Sequence, residues 1–208
     1  MKPTAKQAHR KLALFIGLFV LIHFVAHLAA PFGIAAQDSA LQAGRAIYQF
    51  PLVEVALVAA LAAQVALGIK LLRQIQARKR KGFWHRVQFA SGAYLALFIV
   101  MHTSAAVATR LVVGLDTNFY WAAGTLVLAP LKYTFAPYYI LAVTALVSHA
   151  LAALHFRRPR QWHAPMLALG PMLGIAIVSA YGGAFYLVEL PQEYRDYFAI
   201  FPGVGEQD

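Results

Sequence analysis

The chain has no cysteine. That excludes disulfides, thiolate-held iron–sulfur clusters and covalently attached c-type haem, each of which needs sulfur from the protein. Charge is also scarce. Only 12% of the 208 residues are Asp, Glu, Lys or Arg, against about a quarter in soluble domains. The apolar stretches carry no acidic pair, no Gly/Pro break at mid-span and no inverted repeat, which argues against an ion-coupled transporter. No sequence repeat, low-complexity segment or soluble domain is legible.

What is present is apolar length. The composition is 61% hydrophobic, and five runs approach the roughly 20 residues that cross a bilayer. They cover about 12–30, 50–72, 87–109, 136–156 and 164–188. The expected fold is all-α: a polytopic bundle of five transmembrane helices forming one haem-binding domain over 1–190, followed by a short outer tail, 191–208. The first run does not read as a cleavable signal peptide, being too long, without a small-residue cleavage site and carrying two histidines. The long connection at 110–135 holds Asn118-Phe119-Tyr120-Trp121 and has room for a short interfacial helix, with aromatics suited to the headgroup belt.

The net charge of +10 is placed for a membrane and not for nucleic acid. Lys2, Lys6, Arg10 and Lys11 precede the first run. Lys70, Arg73, Arg78, Lys79, Arg80, Lys81 and Arg86 flank the second connection, and Arg157, Arg158 and Arg160 the fourth. Fourteen of the eighteen basic residues thus fall on one side, leaving Arg45, Arg110, Lys132 and Arg195 on the other. The positive-inside rule puts the N-terminus in the cytoplasm and, after five crossings, the C-terminus outside.

Four histidines, His23, His27, His102 and His149, lie deep inside the apolar runs, where a titratable ring is costly and points to function. At about 1.5 Å per residue, His23 lies roughly 18 Å in from Lys11 and His102 roughly 24 Å in from Arg86. Both fall in the outer half. His149, eight residues before Arg157, lies toward the inner side at a depth shared with Gln64. Two imidazoles at matched depth on separate helices suit a six-coordinate b-type haem. Small residues would leave room for the macrocycle, and Gly17, Gly92 and the alanines of the second run are available, although such residues also let helices pack closely. His27, one turn beyond His23, could serve as an alternative ligand, bond a haem propionate or quinol, or reach the interface. His9, His85, His155 and His163 are expected at the inner surface, solvated or facing lipid.

At these residues the chain resembles the cytochrome b membrane-anchor subunits of succinate:quinone oxidoreductases, the succinate dehydrogenases and fumarate reductases, in their single-chain five-helix form. The segment from Leu14 to His23, with Gly17 six residues before the histidine, is similar to the family's first-helix pattern and favours His23 over His27. Arg86-Val87-Gln88-Phe89-Ala90-Ser91-Gly92, followed by His102, is similar to the third-helix motif, and His149 more loosely to the fourth. The likeness extends over residues 8–188. It departs at Gln64, four residues before Gly68, where two-haem members carry a histidine that pairs with the fourth-helix one. The resemblance implies haem b, one per chain on His23 and His102, with a second possible at His149. It implies electron transfer between an iron–sulfur subunit and membrane quinone or menaquinone, with that subunit and a flavoprotein on the cytoplasmic face of a bacterial inner membrane.

The run Arg73–Arg86 is a candidate docking surface for the iron–sulfur subunit, or simply reflects topology and anionic lipid. Glu54, near the outer end of the second run, is a candidate proton acceptor on quinol oxidation. Ser91 and Arg86 are candidate hydrogen-bond partners of a quinone carbonyl. Each also has a plain reading as an interfacial or helix-start residue. Two rival functions are a stand-alone membrane cytochrome b and a non-redox transporter.

Overall fold

The computed structural model describes residues 4–77 and 82–204. Among these it is all-α, with helices α1 (Ala5–Ala29), α2 (Ile34–Tyr48), α3 (Pro51–Ala77), α4 (Phe83–Ala108), α5 (Phe119–Val127), α6 (Leu131–Arg157), α7 (Leu169–Tyr181) and α8 (Gln192–Phe198). Five helical segments are long and apolar enough to cross a membrane: Ala5–Phe32, Pro51–Gln76, Phe83–Val113, Leu131–Arg157 and Gln161–Tyr181. This is a multi-pass membrane protein. In hydrocarbon every backbone polar group must be satisfied within its own segment, which is why these runs can only be helices. The fifth helix stops at Tyr181, before Gly182 and Gly183, and is shorter than its apolar run.

Local chemistry sets the helix ends. Thr4 and Gln7 form a capping box at the start of α1, each side chain bonding the other's backbone N–H. At its far end α4 widens into a π-turn, Thr109–Val113, closed by Gly114 at φ 77°. Leu14, Leu18, Leu21 and Val25 make an exposed stripe along α1, 79%, 64%, 61% and 51% accessible. A stripe of that size in water marks an interaction surface; here hydrocarbon covers it.

The spanning helices pack in the order α1–α3–α4–α6–α7, with α7 returning to α1 near the end of α1 where Ala30–Phe32 continues it. The closest seam is α6–α7. A Cβ on Gly170 would lie 2.8 Å from Thr144 Cα, and one on Gly174 3.0 Å from Ile140 Cα. Gly170 and Gly174 are thus a small-xxx-small pair that lets two backbones touch.

One end of the bundle is capped by α2, α5 and α8. α2 doubles back along α1, with Gly44 against Ile22. α5 is the short helix anticipated in the long connection, but its aromatics turn inward: Phe119 is 1% and Trp121 8% exposed. Phe119 stacks on Tyr181, while Trp121 packs with Tyr194, Phe198 and Val204 of the tail. The tail therefore folds onto the bundle, Phe198 lying over Gly124.

Candidate functional site

α1 and α4 each pack against α3, and across the space between them two imidazoles meet. The His23 and His102 rings lie 6.1 Å apart, centroid to centroid. Each is backed by a phenylalanine one turn earlier in its own helix, Phe19 stacked on His23 at 5.3 Å and Phe98 on His102 at 5.0 Å. Tyr48 and Trp121 complete the walls, 6.3 Å from His23 and 6.1 Å from His102 respectively.

His27 lies inside this group and not at the interface. Its Nε2 is 3.1 Å from Nε2 of His23, and its Nδ1 is 2.8 Å from the hydroxyl of Tyr181. Two tautomeric assignments satisfy both contacts, and in either one His23 Nδ1 stays buried without a partner. Tyr181 is 2% exposed; Gln37 of α2 is 1% exposed, and its Oε1 is also unpartnered. A polar chain thus runs from His23 through His27 to Tyr181. Tyr181 and Gln37 escape a reading of the sequence, because each sits in an ordinary apolar or amphipathic helix and only packing buries them.

Do these residues fit a haem? Two metal–imidazole bonds of about 2 Å, plus the distance from nitrogen to ring centre on each side, separate the centroids by roughly 6 Å. The 6.1 Å between His23 and His102 matches that spacing. His23 carries a buried nitrogen with nothing to bond, which is what a ligand seeks. Haem supplies four of the six iron ligands itself, so two imidazoles suffice. Among the described residues no group of three or more His, Asp or Glu side chains is arranged to hold a bare metal ion. Gly17 is exposed beside Leu14, Leu18 and Leu21 on the outward stripe of α1, with nothing within 4 Å of a Cβ built there. Gly92 does not border this gap; a Cβ there would meet the ring of His149 at 3.1 Å.

His149 belongs to a second group toward the opposite end. Its Nδ1 is 3.2 Å from Ser91 Oγ, and Ser91, 6% exposed, also donates to the Val87 carbonyl at 2.6 Å. The Ser91 hydroxyl is thereby committed inside the bundle, while Arg86 is exposed on its flank. Gln64 Nε2 is 3.3 Å from Nε2 of His9, so His9 turns inward to α3 and away from solvent or lipid. Of the other expected surface histidines, His163 is 1% exposed and 3.3 Å from His155, which stacks on Trp84. His85 packs beside Phe156.

Glu54 pairs with Arg110, the residue that the π-turn aims across the capped end. Arg45 forms a second ion pair there, with Asp116 at 2.8 Å, and bonds Thr117 at 3.3 Å. The candidate docking run lies partly outside the described residues, since Arg78, Lys79, Arg80 and Lys81 fall there. No family model, curated protein or solved structure matches the chain, so the likeness to the succinate:quinone oxidoreductase anchors rests on its motifs.

Proposed function

We propose that this chain is a membrane cytochrome b in which His23 and His102 hold one b-type haem. We further propose that it is the quinone-reactive anchor subunit of a succinate dehydrogenase or fumarate reductase. The observation that carries the reading is the 6.1 Å spacing of two imidazoles on separate spanning helices. Haem held there would store one electron at a time at a potential tuned by its axial ligands and the low dielectric around it.

The chain's own residues would do the rest. Phe19 and Phe98 restrict the two imidazoles by stacking on them. The His27–Tyr181 contact gives the site hydrogen-bonding capacity without a charge, which suits a low-dielectric interior. Glu54, ion-paired with Arg110, is the carboxylate we assign to the quinol proton, and the pair would have to open for Glu54 to accept it. The distribution of basic residues favours a cytoplasmic N-terminus, with the flavoprotein and iron–sulfur partners on that face of a bacterial inner membrane.

The test is a dithionite-reduced minus oxidised spectrum of the purified protein, with haem counted as the pyridine haemochromogen. A low-spin b-type spectrum that loses one haem in His23→Ala and in His102→Ala is the expected result. A colourless protein would return the chain to the transporter class. Haem without a co-purifying flavoprotein would point to the stand-alone cytochrome.

A further inference from the structure

We infer that His155 and His163 form a proton-sensitive clasp at the end of the bundle away from α2, α5 and α8. Their shared hydrogen bond tolerates one proton and opens on the second. The inference stands on this pair and its surroundings and does not depend on the cytochrome reading.

Nδ1 of His155 lies 3.3 Å from Nδ1 of His163. His155 is in the last turn of α6, and His163 ends the short 3-10 turn Gln161–His163 that leads toward α7. The bond therefore staples the fourth spanning segment to the start of the fifth. Trp84, in the first turn of α4, touches both rings. It stacks on His155 at 4.2 Å with 16° between the planes, and stands edge-on to His163 at 6.3 Å. Trp162 packs against His163 at 4.3 Å, and that ring is left 1% exposed. Three elements thus meet at two imidazoles.

Proton count decides the contact. When both rings are neutral, one Nδ1 carries hydrogen and donates to the bare Nδ1 of the other. One added proton makes the donor an imidazolium and the bond charge-assisted. With two, both Nδ1 atoms carry hydrogen, neither accepts, and two like charges face each other at hydrogen-bond distance. Nothing nearby relieves that. Around the pair are His85 and Arg86 of α4, Arg157 of α6, and Arg158 and Arg160 of the connection, all cationic or able to become so. Among the described residues the carboxylates all belong to the capped end, on α2, at the start of α3, beside Arg45 or in the segment after α7. The same arginines disfavour a bridging divalent cation. Gly170 and Gly174 hold α7 against α6 further along, so opening is confined to the turn over residues 158–168.

The experiment is amide hydrogen exchange of the full-length protein in detergent, read by mass spectrometry and corrected for the intrinsic rate. It compares about pH 7.5 with about pH 5.5, on either side of the ordinary imidazole value. Residues 158–168 of the wild type should lose protection about tenfold on acidification, the equilibrium factor of one net hydrogen bond. His155→Asn puts a neutral amide near the Nδ1 position, able to donate or accept, and should stay protected at both pH values. His155→Ala should be unprotected at both. Protection of α6 and α7 peptides, unchanged throughout, reports that the bundle has folded. Wild-type protection that ignores pH would overturn the clasp. So would acid opening in His155→Asn, which would place the titrating group elsewhere, or opening by EDTA at neutral pH, which would show a metal bridge.

Discussion

His27 Nδ1 lies 2.8 Å from the hydroxyl of Tyr181, joining the first and fifth spanning helices at residues 154 apart in the chain. Through this contact the His23–His102 pair is anchored to the helix that otherwise meets α1 only near one end. Because both partners are buried, losing either leaves the other unsatisfied, and the asymmetry of hydrogen bonding makes that the larger cost.

Tyr181→Phe should therefore destabilise the protein by about 1–3 kcal/mol while leaving the ring of Phe119 stacked against it. Thermal unfolding in detergent measures the loss. Unchanged stability would mean that His27 finds another partner.

Glu54 and Arg110 join α3 to the π-turn after α4 and are only partly exposed, 29% and 20% for the two side chains. Removing one charge strands the other in a poorly solvated place. Breaking a fully buried pair costs about 3–5 kcal/mol, so this partly exposed pair should cost about 1–2 kcal/mol in Glu54→Gln or Arg110→Met. The double variant should recover part of that loss. A double-mutant cycle on the melting temperature measures the coupling, and strictly additive effects would show that the two charges act independently.

Gly170 and Gly174 sit against the backbone of α6, with no flexible side chain to yield. Gly170→Ala or Gly174→Ala should force α7 outward and cost about 1–3 kcal/mol. Gly17→Ala, which meets nothing within 4 Å, should be neutral or slightly stabilising through helix propensity. Equal effects at all three positions would refute close packing as the reason for the α7 glycines.

Tyr194 is 1% exposed and donates its hydroxyl to the Asp116 carbonyl at 3.0 Å. Burial, reinforced by the Asp116 charge, pushes its phenol up to about 12. A tyrosine in the unfolded chain titrates near 10. The stabilisation is thus fully present below about pH 10 and is lost as pH rises through 12. Fluorescence of Trp121, which packs against Tyr194, should report the tail loosening over that window. Tyr194→Phe should remove this part of the pH dependence, and an identical alkaline transition in both proteins would assign it elsewhere.

The five spans were legible because crossing hydrocarbon is a local demand, met by twenty or so consecutive apolar residues whatever the rest of the chain does. The matched depth of His23 and His102 was legible for the same reason, since rise per residue converts position into height. Depth does not give azimuth. Which face of a helix a side chain presents, and to which neighbour, depends on how the bundle closes. That is why His27 proved to be interior, Gly92 to lie under His149 and His9 to turn toward Gln64.

The cap was less legible. α2 is amphipathic, and nothing local tells an interfacial helix from one that folds back along α1. Trp121 and Phe119 suited a headgroup belt by residue type, yet the C-terminal segment supplied Tyr194 and Phe198 to cover Trp121, and α7 supplied Tyr181 to stack on Phe119. By itself the sequence determined an all-α chain with five spans and histidines at two heights. Only the tertiary structure decided which histidines meet, because a meeting requires two helices to agree in rotation as well as height, and packing alone sets rotation.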